Sequence, residues 1–154
     1  MANLKIGDQA PAFTAKDQDG NPVSLDQYEG KKIVLYFYPK DNTPGCTAEA
    51  CNIRDNYQQF LDKGFVVLGV SADSEKSHRN FIEKHDLPFP LISDPEKEII
   101  KSYDAWGEKK MYGKSYEGIL RKTIIISEDG KIERIIDKVK TKDHSNQIFT
   151  DLDA

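Results

Sequence analysis

The stretch Ile33-Val34-Leu35-Tyr36-Phe37-Tyr38 is an unbroken run of β-branched, aliphatic and aromatic residues. It lacks polar alternation and is too short for a core helix, so it reads as a strand buried on both faces. Strands of that kind lie in the middle of α/β sheets, and the rest of the chain must then supply a layer for each face. Immediately downstream, Pro39 and Pro44 interrupt the backbone, and Cys46, Ala50, Ile53, Tyr57, Phe60 and Leu61 recur at spacings of three and four. That periodicity predicts one helix ending near Lys63-Gly64, with Gly64 as its C-terminal cap, Thr43 as its N-cap and Pro44 in its first turn.

Cys46 is thereby placed in the first turn of a helix, on its inward face, beyond the carboxyl end of a central strand. Unsatisfied backbone N–H groups and the positive end of the helix dipole stabilise a thiolate there, against a free thiol pKa of about 8.5. The crevice at this end of an open α/β sheet is also where ligands bind. The second cysteine, Cys51, follows five residues later. In a continuous helix that spacing separates the two Cα atoms by roughly 8 to 9 Å, whereas a disulfide tolerates no more than about 7 Å. Joining the two cysteines therefore requires the first turns of the helix to unwind.

The remaining segments give the α/β class. A turn-rich cluster, Asp17-Gln18-Asp19-Gly20-Asn21-Pro22, suggests a β-hairpin ahead of the main fold, as an accessory edge. Phe65 to Ser71 is a second buried strand, and Glu75 to His85 is a helix started by Asp73 or Ser74 and stopped before Pro88, which completes a βαβ unit with parallel strands. Asp94-Pro95-Glu96 reads as the start of a helix with Ile99, Ile100 and Tyr103 inward up to Trp106, and a glycine-containing loop is expected after it. Lys122 to Ser127 and Lys131 to Ile136 flank Glu128-Asp129-Gly130, a hairpin signal. The tail from Thr141 reads as a helix with Ile148, Phe149 and Leu152 inward. At 154 residues, the whole chain, 1–154, is read as a single domain able to bury one core.

The segment from Pro39 to Cys51 resembles the peroxiredoxins, and within them the bacterioferritin comigratory protein or PrxQ type. The pattern Pro-x3-Thr-x2-Cys stands as Pro39, Thr43 and Cys46, and its extension Thr-Pro-Gly-Cys-Thr-x-Glu-x-Cys runs from Thr43 to Cys51 without a break. The similarity continues through Gly69-Val70-Ser71, Ser77-His78, Leu87-Pro88-Phe89, Ser93-Asp94, Tyr112-Gly113, Gly118-Ile119-Leu120-Arg121 and Asp129-Gly130. The departures are Ile53 in place of an aromatic residue, and Asp104-Ala105-Trp106 where Gly-Val-Trp is more usual.

What the resemblance implies is a thioredoxin-like fold, with a mixed central sheet flanked by helices and an N-terminal β-hairpin extension. It further implies a thiol peroxidase acting on hydrogen peroxide and organic hydroperoxides, with no metal or organic cofactor. Cys46 would attack a peroxide oxygen, Cys51 would resolve the sulfenic acid as an intramolecular Cys46–Cys51 disulfide, and thioredoxin or a similar dithiol would reduce it. Thr43 would hold the peroxide, Arg121 would stabilise the thiolate and the leaving oxygen, Pro39 would shield the site, and Glu49 would orient Arg121. By the same resemblance the protein is expected to be a monomer.

Considered without that resemblance, each of these residues has a plainer reading. A free cysteine is often an inert core residue; Thr43 can simply cap a helix; Glu49 would face solvent; Arg121 would be a solvated charge. His78, His85 and His144 are scattered, with no spacing that joins the cysteines in a zinc site, so surface or capping roles suffice for them. Twenty-two basic against 26 acidic residues argue against nucleic acid and anionic membrane as partners. No apolar run is long enough to span a bilayer, and Met1 to Gly7 lacks the basic start and apolar core of a signal peptide, so a cytoplasmic location is expected. Two cysteines without an export signal fit a reducing compartment. A dithiol oxidoreductase is disfavoured because its motif is Cys-x2-Cys, not Cys-x4-Cys. From another class, a redox-sensing or chaperone-like binding module could use the same oxidation to expose surface.

Overall fold

The computed structural model describes residues 4–153, so Met1, Ala2 and Asn3 of the opening segment lie outside it. The apolar run forms β3 (Lys32–Phe37), and it sits where its burial requires, in the interior of a mixed seven-stranded sheet. On one side it pairs in parallel with β4 (Phe65–Ser71), which pairs in parallel with β5 (Leu91–Ser93). On the other it pairs antiparallel with β8 (Lys122–Ile126), which turns through Glu128-Asp129-Gly130 into β9 (Ile132–Ile136). The early hairpin of β1 (Thr14–Lys16) and β2 (Pro22–Ser24) extends this same sheet, since Lys16 pairs with Ser93 of β5.

Alternation along β3 splits the core into two layers. Ile33, Leu35 and Phe37 face a cluster with Leu68, Val70, Ile124 and Tyr103, while Val34, Tyr36 and Tyr38 face Cys46, Ala50, Ile53, Phe60 and Ile148. The second layer is roofed by α1 (Pro44–Asp55), α2 (Tyr57–Asp62), α3 (Glu75–His85) and α5 (His144–Asp153). Phe60, Phe81 and Ile148 are fully buried beneath that roof, and each contributes roughly 1.5 to 3 kcal/mol by leaving water.

Several boundaries differ from the sequence reading. The single long helix is two, because the chain breaks at Asn56. The Asn56 amide side chain donates to the Asn52 carbonyl at 2.8 Å, and its backbone adopts φ −113°, ψ 13°. After this break the helical face rotates, and Leu61, expected inward, is 46 % exposed. The helix expected from Pro95 starts later, as α4 (Glu98–Ser102), since Lys97 occupies the left-handed region at φ 62°. Asp94 still caps it: its carboxylate accepts from the N–H groups of Glu98 (3.1 Å) and Ile100 (2.9 Å). The loop expected next is a two-stranded hairpin, β6 (Trp106–Met111) and β7 (Lys114–Ile119), closed by Tyr112 and Gly113, both at positive φ. The three-residue β5 was not anticipated, because Leu91-Ile92-Ser93 is too short to carry a periodicity.

Candidate active site

β3 delivers the chain to the top of the sheet at Tyr38, and a short turn then reverses it into α1. Asp41 pins that turn from inside. Its carboxylate accepts from the Tyr38 hydroxyl (2.6 Å) and the Ser77 hydroxyl (2.8 Å), and His78 Nδ1 lies 2.8 Å from it. The Asp41 N–H donates to Asp73 at 2.8 Å. Asn42 then takes positive φ and Thr43 is extended, which sets Pro44 at the first helical position and Cys46 in the first turn. Thr43 holds the N-cap position, but its hydroxyl does not cap the helix: it turns back and donates to the Lys40 carbonyl at 2.8 Å. The first-turn N–H groups of Gly45 and Cys46 have no intrahelical acceptor.

Cys46 is buried, and Cys51, on the same continuous helix, is half-buried; both are free thiols. Arg121, between β7 and β8, extends its Nη2 to 3.3 Å from Cys46 Sγ, and its Nη1 donates to Glu49 Oε1 at 2.8 Å. A β-carbon at position 45 would lie 3.1 Å from Nη2, so glycine there keeps the guanidinium's path open. Glu49 is fully buried, one turn on from Cys46. Burial pushes its carboxyl up to about 7, against the opposing charge and hydrogen bond of Arg121. Burial also works against the charge on Arg121, but the sulfur and the Glu49 carboxylate outweigh it, and the guanidinium is held above its ordinary range.

The far side of Glu49 meets α5. Its Oε2 has no hydrogen-bond partner among the described residues and lies 3.6 Å from His144 Nε2, beyond hydrogen-bond range. Thr123 Oγ1 is 2.7 Å from the same nitrogen, and His144 Nδ1 is 2.8 Å from Gln147 Oε1. Burial pushes His144 down to about 4. The surface roles expected for the histidines thus fail for two of them: His78 and His144 are both completely buried and hydrogen-bonded. Asp41, Asp73 and His78 converge with ligand atoms within 4.8 Å of one another, a grouping their positions in sequence did not reveal. Their carboxylate and ring atoms are engaged in the hydrogen bonds that pin the turn.

The structure therefore brings Cys46, Thr43, Glu49, Arg121 and Pro39 to one end of the sheet. Pro39, Leu120 and Arg121 line an open cavity of about 400 Å³ with Lys109, Lys122 and Asp137. A larger cavity, about 590 Å³, lies elsewhere, bordered by Tyr28, Ile33 and Gly130. Neither cysteine lines either cavity, and the smaller one meets Cys46 only through Arg121. Sequence reasoning missed Asp41, His78, His144 and Lys109. Only Ser77-His78, through the resemblance, gave any signal for them.

A nucleophilic side chain in the first turn of a helix, following a central strand and paired with a guanidinium, defines a thiol-redox protein on a thioredoxin-like sheet. The AhpC/TSA family matches residues 6–135. The chain is 48% identical over 141 residues to peroxiredoxin Bcp of Bacillus subtilis, covering 92% of this chain and 90% of that one. Among solved structures, a cysteine-to-serine variant of PrxQ from Xylella fastidiosa superposes with a TM-score of 0.91 at 34% identity, over 99% of this chain and 98% of that one. The bacterioferritin comigratory protein of Xanthomonas campestris, whose alkyl peroxide reduction has been studied through trapped intermediate and ligand complexes, gives a TM-score of 0.88 at 35% identity, over 99% and 98%. The chain belongs to the AhpC/TSA family, as a peroxiredoxin of the Bcp/PrxQ type. No helix among the described residues is long and apolar enough to cross a membrane.

Proposed function

We propose that this protein is a thiol peroxidase that reduces hydrogen peroxide and organic hydroperoxides through Cys46, with Cys51 as the resolving thiol and thioredoxin or a similar dithiol as reductant. The observation that carries the reading is the 3.3 Å contact between Arg121 Nη2 and the buried Cys46 sulfur in the first turn of α1. Displacement at oxygen needs a nucleophile, a fixed positive charge beside it and donors for the oxygen that departs.

Each residue has a defined part. The Cys46 thiolate attacks one peroxide oxygen in line with the O–O bond. The Thr43 hydroxyl, whose hydrogen is committed to the Lys40 carbonyl, presents its oxygen as an acceptor for the peroxide O–H. The N–H groups at the start of α1 and the Arg121 guanidinium receive the charge that develops. Pro39 limits water at the mouth, and Glu49 holds Arg121 in its forked geometry. The product sulfenic acid then condenses with the Cys51 thiol and releases water. This step requires α1 to open, because an intact helix keeps the two cysteines too far apart.

Replacing Cys46 with serine is expected to abolish peroxide consumption. Cys51→Ser should consume about one equivalent and stop at the sulfenic acid. Full turnover by Cys46→Ser, measured as peroxide loss in the presence of thioredoxin and its reductase, would overturn the assignment.

A further inference from the structure

We propose that Lys109 is the proton donor to the oxygen that leaves when Cys46 attacks a peroxide. This rests on the thiol peroxidase reading above and adds to it a residue outside the motif that suggested it.

Attack by the Cys46 sulfur on ROOH makes an S–O bond with one oxygen and breaks the O–O bond. The bonding pair departs on RO⁻, sulfur is oxidised to the sulfenic acid, and the peroxide is reduced by those two electrons. The alkoxide, or hydroxide from hydrogen peroxide, is a strong base whose conjugate acid is about as weak as water. A proton supplied as the bond breaks lowers the barrier.

The groups near the sulfur, and those lining the cavity that Arg121 borders, differ in their ability to supply it. Among the described residues Arg121 alone hydrogen-bonds the sulfur, and Lys109 and Lys122 reach the site through that cavity. Arg121 does not release its proton in a protein. The Thr43 hydroxyl hydrogen is engaged by the Lys40 carbonyl. Glu49 sits behind Arg121, and its free oxygen faces His144 rather than the sulfur. Lys122 lines the cavity, but its ammonium is held by the Asp104 carbonyl at 2.9 Å and lies 3.4 Å from Asp137. Lys109 lines the same open cavity beside Arg121 and Pro39, and among the described residues its Nζ makes one hydrogen bond, to the Ile119 carbonyl at 2.9 Å. An ammonium carries three donors, so two remain for an occupant of the cavity.

The hairpin is shaped to bring Lys109 there. Its side chain crosses over Gly118 on the facing strand, where a β-carbon would lie 3.1 Å from Lys109 Cδ. Gly118 belongs to the Gly118-Ile119-Leu120-Arg121 segment, so one short stretch both supplies Arg121 and clears the path for Lys109. Burial, and then the neighbouring Arg121 charge, depress the Lys109 pKa from the ordinary lysine value, with the Cys46 sulfur opposing; this makes it a better acid. Once RO⁻ has taken the proton, the neutral amine recovers one from water through the open side of the cavity.

The test compares two oxidants. Tert-butyl hydroperoxide expels a strongly basic alkoxide, whereas peracetic acid expels acetate, a weakly basic carboxylate that is ionised at neutral pH and needs no proton to leave. The rate of Cys46 oxidation is measured for each by rapid quench and mass spectrometry, in wild type, Lys109→Met and Lys109→Arg. Lys109→Met should slow tert-butyl hydroperoxide by about 100-fold and leave peracetic acid unchanged, and Lys109→Arg should behave like Lys109→Met. Equal slowing of both oxidants by Lys109→Met, or wild-type rates in Lys109→Arg, would show that Lys109 contributes only charge and would overturn the proposal. Failure of the peroxidase reading would look different: wild type itself would react with either oxidant no faster than a free thiol.

Discussion

Glu49 and His144 face one another in the core with pKa values displaced in opposite directions, which makes a test by single substitution. The Glu49 carboxyl, 4.5 when unperturbed, is pushed up to about 7, so the folded state holds its proton more tightly than the unfolded chain. Its contribution to stability is complete below pH 4.5 and is lost as the pH rises to about 7. The His144 imidazole, 6.5 when unperturbed, is pushed down to about 4. Its contribution is complete above pH 6.5 and is lost as the pH falls to about 4. At about 1.4 kcal/mol for each pH unit, either group alone changes stability by about 3 kcal/mol across its window. In the wild type the two slopes oppose one another between pH 4.5 and 6.5 and nearly cancel. Removing one exposes the other. The stability of Glu49→Gln relative to wild type should rise by about 3 kcal/mol from pH 4.5 to 7, and that of His144→Gln should fall by about the same amount from pH 4 to 6.5. Urea unfolding of the reduced proteins across this range gives both differences, with the common background of surface carboxylates removed. Differences that do not vary with pH would refute the buried titration on which the argument depends.

Three further outcomes follow from the same geometry. Arg121→Ala removes the charge beside the sulfur and leaves Glu49 buried without its partner; it should slow the first oxidation step about 10²- to 10³-fold. The same variant should cost about 3 to 5 kcal/mol of stability at pH 8 and less at pH 5.5, where Glu49 is protonated; an unchanged rate in stopped-flow oxidation would remove Arg121 from the site. Formation of the Cys46–Cys51 disulfide should abolish about two turns of helix, seen as a loss of ellipticity at 222 nm, and identical spectra of reduced and oxidised protein would contradict the opening of α1. Tyr112, 97 % exposed, occupies a positive-φ turn position before Gly113; Tyr112→Asn should stabilise the protein by up to about 1 kcal/mol, and a lower Tm would count against the turn assignment.

What the sequence disclosed and what it hid divide along physical lines. The central strand was legible because six apolar residues in succession are costly anywhere but between two layers. The first-turn position of Cys46 was legible because Pro44 and the positions after it are local signals. The β8–β9 hairpin was legible through Asp129-Gly130. The β6–β7 hairpin was not, since Tyr112-Gly113 lacks the asparagine or aspartate that usually marks such a turn. The break at Asn56 depends on one side chain bonding back to Asn52, a choice that apolar periodicity does not record.

Buried polar groups were the least legible. Glu49 lies on the same face as Cys46, Ala50 and Ile53, but a glutamate is placed inside only when a partner awaits it, and Arg121 is 72 residues away. His144 is buried through Thr123 and Gln147, and His78 through Asp41 and the Ile92 carbonyl; each contact depends on how distant elements meet. Asp104 shows the reverse case, where the departure from the usual glycine acquired a meaning. It adopts φ 58°, a conformation natural to glycine, and its carboxylate accepts from the Leu4 N–H at 2.7 Å.

The most direct test of the central claim is the reaction of reduced protein with limiting hydrogen peroxide, followed by Trp106 fluorescence and by mass spectrometry of the product. Thiol loss is expected far faster than that of a free cysteine, ending in an intramolecular Cys46–Cys51 disulfide. A reaction at the free-thiol rate, or a product in which Cys51 remains a thiol, would contradict it.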